Sequence, residues 1–204
     1  MEDLTSHPQD VRGAGCAADD LGDDRLLRMF ADGDAGAARI LTDRLGPRCY
    51  SVSLRMLGNR AEAEDVTQDA MMRLWQMAPK WVPGTAKVST WLYRVTLNLC
   101  LDRKRKKTPE QLPEEAEPPD NAASVVEKMQ DTARHDALQV ALMQLPDRQR
   151  QAVVLRHIEE LSNPEIAGVM GLSVEAVESL TARGKRALSA ILAGRREELG
   201  YDDG

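Results

Sequence analysis

The side chains of residues 161–188, LSNPEIAGVMGLSVEAVESLTARGKRAL, are suited to reading the edge of a DNA duplex. Ser162, with Pro164 and then Glu165 behind it, is the start signal of a short helix whose apolar face is Ile166, Val169 and Met170. Gly171 supplies a turn and Ser173 caps a second helix, along which Val174, Val177, Leu180, Gly184, Leu188 and Ile191 recur at helical spacing. Two short helices around a glycine turn make a helix-turn-helix, whose second helix enters the major groove. Its candidate contact positions are Ser173, Glu175, Glu178, Ser179, Ala182, Arg183, Lys185 and Arg186. A carboxylate there can accept from cytosine N4, an arginine can address a guanine edge, and the cations can hold phosphates. The plain alternative is a helical hairpin packed for stability alone.

A second constellation lies earlier in the chain. Trp75, Trp81, Trp91 and Tyr93 fall within nineteen residues, and the helix pattern that follows ends in Arg103-Lys104-Arg105-Lys106-Lys107. Aromatic faces stack on unpaired bases while cations hold the phosphates, so the combination suits single-stranded DNA. Taken singly, each tryptophan reads as core and the basic run as a complement to a helix dipole. The sequence shows no nucleophile–base set, phosphate-binding glycine loop or metal-ligand cluster, so an enzyme is not expected.

Positioning these groups takes helices throughout. One Phe and few other aromatics, beside abundant Leu, Ala, Met, Glu and Arg, favour an all-α fold, and 204 residues suffice for two small domains. We expect two helical domains joined by a flexible acidic linker, the C-terminal one a helix-turn-helix. The divisions are an acidic mobile tail over 1–22, an N-terminal domain over 23–107, a linker over 108–121, a C-terminal domain over 122–193 and a tail over 194–204. The linker holds four prolines and five acids. In the first domain the pattern is helical from Asp23 to about Met77, with a kink or restart at Gly46-Pro47 and a stop at Gly58-Asn59. A loop over 79–88 precedes a long helix from Ser89 to Lys107. In the second, helices over 122–144 and 147–159 lead into the helix-turn-helix.

Charge follows the same divisions. The net −6 is made of −6 over residues 1–24, +8 over 25–107, −6 over 108–136 and −2 over 137–204. Local charge governs a nucleic-acid footprint, so the acidic total does not argue against DNA. Cys16, Cys49 and Cys100 are odd in number and far apart, as reduced thiols of a cytoplasmic protein are. His7, His135 and His157 are scattered, so no metal and no cofactor is expected. There is no apolar run of membrane-spanning length and no signal-peptide pattern, so no direct membrane insertion is expected.

The stretch Ala63-Glu64-Asp65-Val66-Thr67-Gln68-Asp69, continuing to Leu74-Trp75, resembles a helix of the extracytoplasmic-function (ECF) sigma factors of the sigma-70 superfamily. Thr90-Trp91-Leu92-Tyr93-Arg94-Val95, with Asn98 and Asp102-Arg103, resembles the helix that follows it in that family. Leu145-Pro146-Asp147-Arg148-Gln149-Arg150 and the helix-turn-helix resemble its C-terminal domain, so the likeness runs over roughly 23–192.

This resemblance implies an alternative sigma factor that binds RNA polymerase core, recognises −10 and −35 promoter elements and promotes DNA opening, as in a stress response. Asp65, Gln68 and Asp69 would dock on the clamp coiled coil of core, with the C-terminal domain on its flap. The −10 element would be met by Lys80, Trp81, Lys87, Trp91, Arg94, Asn98, Arg103 and Lys104, with Asn98 in the pocket for a flipped base. Asn98 could instead be a buried amide. The −35 element would be met by the eight positions of the recognition helix. An anti-sigma factor, often membrane-bound in this family, is implied as a further partner. Glu178, where most relatives carry a base, and the atypical loop 79–88 leave the promoter sequences open. Glu178 reads cytosine or pairs locally with Lys185 or Arg186. The competing functions are a conventional helix-turn-helix regulator and a sigma-like decoy that sequesters an anti-sigma factor.

Overall fold

A computed structural model describes residues 21–107 and 135–193. The expected linker, residues 1–20 of the expected tail, the first part of the helix expected over 122–144 and the tail over 194–204 lie outside the described residues. Every regular element among the described residues is helical. In chain order they are α1 (Asp23–Ala31), α2 (Ala35–Leu57), α3 (Arg60–Met77), a 3-10 turn (Ala78–Lys80), α4 (Val88–Lys107), α5 (135–143), α6 (Asp147–His157), α7 (Asn163–Met170) and α8 (Val174–Ala193).

Local chemistry sets most of the boundaries. Asp34 caps α2 by accepting from the Gly36 and Ala37 N–H groups at 2.8 and 3.3 Å, and Asn59 caps α3 by accepting from Glu62 at 3.0 Å. Gly58 ends α2 at φ +70, and a β-carbon there would also press to 3.2 Å of Met143 Sδ, so both backbone and neighbour call for glycine. Two expectations change. Residues 21 and 22 are not tail: Leu21 packs on the core and its carbonyl accepts from Arg44, while Gly22 caps α1. Nor does the chain restart at Gly46-Pro47, because α2 runs through it as one helix of 23 residues. Proline in a helix interior costs about 3 kcal/mol. Leu41, Leu45, Cys49 and Val52, buried on both sides of it, offset that cost with about 1.5–3 kcal/mol for each large aliphatic side chain.

Helices α1 to α4 pack around Leu26, Leu27, Leu41, Val52, Val66, Leu74, Leu92 and Leu97. Helices α5 to α8 bury Leu142, Leu145, Val154, Leu155, Ile166, Val169 and Val177. The two sets are continuous, one core running from Leu26 to Val177.

Arg150 joins them. It is 2% exposed, and its guanidinium donates to the carbonyls of Leu142 (2.7 Å), Met56 (2.9 Å), Met143 (2.7 Å) and Leu145 (2.9 Å). These carbonyls belong to the last turn of α2 and to the end of α5, where helices leave acceptors unpaired and carry partial negative charge. Burial lowers the Arg150 pKa, and Asp147 at 3.7 Å opposes that shift. Arg150→Met is expected to cost about 3–5 kcal/mol, the range for removing one partner from a buried charged network. Arg150→Lys should restore little, having no planar fork. Urea unfolding measures both; a loss below about 1 kcal/mol for the methionine variant would show that the carbonyls find other partners.

Candidate nucleic-acid interface

The helix-turn-helix is built as its residues dictate. The Glu165 carboxylate reaches back to the Ser162 N–H at 3.0 Å and hydroxyl at 2.7 Å, Gly171 turns the chain, and the Ser173 hydroxyl accepts from Ala176 N–H at 3.2 Å. The seat of α8 on α6 depends on Gly184, where a β-carbon would fall 2.6 Å from Val153 Cγ2 and 3.2 Å from the Gln149 carbonyl. With Val177 and Gly184 buried, Ser173, Glu175, Glu178, Ser179, Ala182, Arg183, Lys185 and Arg186 are all exposed.

Three of them, Ser173, Glu175 and Glu178, are already engaged. Glu175 bonds its own N–H and the Ser173 hydroxyl, which lowers its pKa and ties it to the helix start. Glu178 accepts from Asn163 Nδ2 of α7 at 3.2 Å, not from Lys185 or Arg186. Lys185 lies close enough to His157 and Arg156, at the end of α6, for their charges, after burial, to lower the His157 pKa. Arg156 and His157, which the sequence did not single out as contacts, thus flank the recognition helix.

The first half presents a different picture. Arg94 and Asn98 are exposed on successive turns of α4, so the buried-amide reading of Asn98 is set aside. Trp81 and Trp91 are half-buried and meet edge to face at 6.3 Å, with Trp81 Nε1 donating to Asp24 at 2.8 Å. Trp75 packs on Phe30 with tilted rings 4.7 Å apart, and Tyr93 is buried. Of the expected aromatic platform, part is therefore core. Lys80 is exposed beside it.

Arg103 bonds the two acids expected to meet polymerase, Asp65 at 3.0 Å and Asp69 at 3.4 Å. The bond to Asp65 leads the rise in its pKa. Gln68 is exposed and lines an open groove of about 380 Å³ with Thr42, Tyr50, Met71, Met72 and Trp75.

Three cations, Lys87 in the loop before α4 and Arg94 and Lys104 on it, reach across to the second half, whereas Arg105 pairs with Asp102 of its own helix. Lys87 pairs with Glu165 at 2.6 Å, Arg94 donates to the carbonyls of Gly168 and Val169, and Lys104 pairs with Asp147. The Tyr93 hydroxyl donates to Glu159 at 2.6 Å, and burial, then this bond, raises its pKa. Beside it Glu160 holds φ +57, a left-handed conformation that costs a non-glycine residue about 1–2 kcal/mol. Nothing in the sequence pairs Asp147 and Glu165 with these cations, or Glu159 with Tyr93, across such distances. Cys49 and Cys100 are free thiols whose pKa burial lifts to about 12. Among the described residues no acidic, His or Cys cluster could hold a metal, and no helix is long and apolar enough to cross a membrane.

Glu165 serves two contacts at once, and the bond to Lys87, then those to Ser162, hold its pKa at about 2 against an ordinary 4.5. A depressed carboxyl contributes stability above its ordinary value and loses it as pH falls through the folded one. Glu165→Gln should therefore lower the melting temperature at neutral pH. Its difference from wild type should stay constant above about pH 5 and close as the pH falls toward about 2. Thermal melts across that range decide; a difference that is flat down to pH 2 would remove the charge from the account.

Comparison with known proteins gives a family match in each half of the chain. Sigma-70 region 2 matches residues 41–110 and Sigma-70 region 4 matches 135–188. The ECF RNA polymerase sigma factor SigW of Bacillus subtilis is 31% identical over 181 residues, spanning 80% of this chain and 93% of the relative. SigE of Mycolicibacterium smegmatis is 36% identical over 179 residues, spanning 86% of this chain and 63% of the relative. Among solved structures, CnrH in complex with the cytosolic domain of CnrY superposes with a TM-score of 0.64 at 28% identity, covering 84% of this chain and 97% of that one. The sigma factor RpoE, solved with the anti-sigma factor NepR from Bartonella quintana, shares the fold at a TM-score of 0.60 and 18% identity, over 74% and 94% of the two chains.

Proposed function

The chain belongs to the ECF RNA polymerase sigma factors of the sigma-70 superfamily, and we propose on that basis that it gives polymerase core its promoter specificity. The first half binds core and the −10 element, the helix-turn-helix binds the −35 element, and the two engage one promoter at once, so each raises the effective concentration of the other. It makes and breaks no covalent bond. Core is met at the clamp coiled coil by Asp65, Gln68 and Asp69, and at the flap by the second half. An anti-sigma factor holds the protein in reserve.

One observation carries this reading: regions 2 and 4 occur in the family's order, the first with Arg94 and Asn98 exposed on one face, the second with its candidate base-reading positions exposed. Exposed Asn98 offers both a donor and an acceptor to the Watson–Crick edge of an extruded base. Asp65 and Asp69 are exposed and share one arginine, Arg103, which an arginine of core can displace at little cost.

Run-off transcription with purified core on genomic promoter fragments tests the whole. Useful promoter affinity is expected only with core present, since the net charge of −6 opposes DNA over much of the free chain. Nanomolar duplex binding by the free chain near physiological salt would favour a conventional regulator. Asn98→Ala should cut open-complex yield roughly tenfold, about 1.4 kcal/mol, and leave core pull-down unchanged. Asp65→Lys with Asp69→Lys should abolish pull-down, whereas Arg103→Ala, which only releases the acids, should not.

Glu178 is proposed to accept from cytosine in the −35 element, with Asn163 holding its carboxylate in place. Glu178→Lys should then change the sequence selected from a randomised −35 library, by about 1–3 kcal/mol at one base pair. Asn163→Ala should keep the same preference and weaken it. Unchanged preferences for the lysine variant, with affinity raised evenly, would reduce Glu178 to a solvated side chain.

A further inference from the structure

We propose that Asp24 is a positioning residue for −10 recognition: it holds the indole of Trp81, and with it the loop 81–87, against the face of α4 that meets the unpaired strand. This rests on the function proposed above and adds a residue, outside every contact set named there, on which its specificity depends.

In sequence Asp23 and Asp24 are two acids in the first turn of α1, where either would complement the helix dipole. The fold gives them separate partners. Asp23 Oδ1 pairs with Arg44 at 2.6 Å, the Leu21 carbonyl accepts from the same guanidinium at 3.0 Å, and Leu26 and Leu27 are fully buried. The start of α1 is thereby fixed on α2. Asp24 Oδ1 instead accepts from Trp81 Nε1 at 2.8 Å, across fifty-seven positions of the chain. An indole N–H donates and cannot accept, so the half-buried Trp81 ring takes the orientation that this acceptor allows.

The loop depends on such an anchor. Residues 82–87 are all exposed, between half-buried Trp81 and buried Val88. Within it the Thr85 hydroxyl donates to the Val82 carbonyl at 2.8 Å and Gly84 turns at φ +82. Those features shape the loop without placing it on the first half. Gly22, Asp23 and Asp24 also wall a pocket of about 200 Å³ with Lys87, Val88 and Ser89, so the start of α1 borders both ends of the loop. Trp81 in turn meets Trp91 edge to face at 6.3 Å. Trp91, Arg94 and Asn98 follow one another at helical spacing along α4 and share a face. Asp24, Trp81 and Trp91 therefore form a chain of contacts from α1 to the residue proposed to take the extruded base, and a freed indole would move the loop relative to it.

The test offers holoenzyme carrying each variant a promoter library randomised at −10 and another randomised at −35. Asp24→Ala should weaken the −10 preference roughly tenfold, the low end for a hydrogen bond to a charged group. Its −35 preference and core pull-down should match wild type. Asp24→Asn keeps an acceptor oxygen without the charge and should restore the preference. Trp81→Phe, which keeps a ring and removes the donor, should lose as much as Asp24→Ala, and the double variant no more than either. Even tightening on all sequences by both Asp24→Asn and Asp24→Ala would mean that Asp24 only repels phosphate, and overturns the inference. An Asp24→Ala protein that keeps its full −10 preference overturns it, as does one that loses −35 selection and core binding in equal measure, the mark of a general loss of fold. Trypsin cleavage after Lys80 and Lys87 reads the anchor without promoter or polymerase. It should be faster in Asp24→Ala than in wild type or Asp24→Asn, and equal rates overturn the anchor. Failure of wild type to open any promoter removes the functional reading, and the role in recognition with it, whereas faster cleavage alongside that failure would keep the anchor.

Discussion

A buried guanidinium ties the two halves of this protein together within their continuous core. Arg150 enters the core from α6 and satisfies carbonyls at the ends of α2 and α5, groups no helix can pair internally. An isolated cation would be costly to bury, but here it meets four carbonyl oxygens, Met143 Sδ at 3.5 Å and the nearby Asp147 carboxylate. The constraint is mutual, since neither helix end could be buried without a donor and the donor could not be buried without them. Gly58, pressed beside Met143, and Gln139, bonded to the Leu54 carbonyl at 3.0 Å, close the same seam.

That seam decides how α4 is used. One helix carries the cations assigned to a DNA strand, and its neighbours claim them from two directions. Arg103 turns to the acids of α3, whereas Arg94 and Lys104 turn to α7 and α6. A first half with a charge of +8 attracts carboxylates from within the molecule for the reason it would attract phosphates. Partly exposed pairs of this kind exchange at little cost.

The recognition helix escapes this competition because its inner face is filled by Val177 and by the close approach at Gly184. Its outer face then has only short-range partners, such as Asn163 for Glu178 and Ser173 for Glu175. Those contacts orient carboxylates without covering them.

Much of this was fixed locally. Capping at Ser162 and Ser173, the turn at Gly171, the stop at Gly58 and the outward register of α8 all follow from residues within a few positions of one another, so their periodicity and caps could be read directly. Gly46-Pro47 could not be judged so, because the packing that carries α2 through a proline comes from other helices. Arg150 lies on the apolar face with Val153 and Val154, a register that hints at burial, but its acceptor at Met56 is ninety-four residues away. Asn98 and the tryptophans could be named as candidates, yet which would face solvent and which the core depended on how α4 meets its neighbours. The sequence determined the helices, their faces and the chemistry they carry, since these arise from short-range sterics and hydrogen bonds. Only the tertiary structure decided which charges meet, because pairing across the chain depends on where the packed core brings distant side chains together.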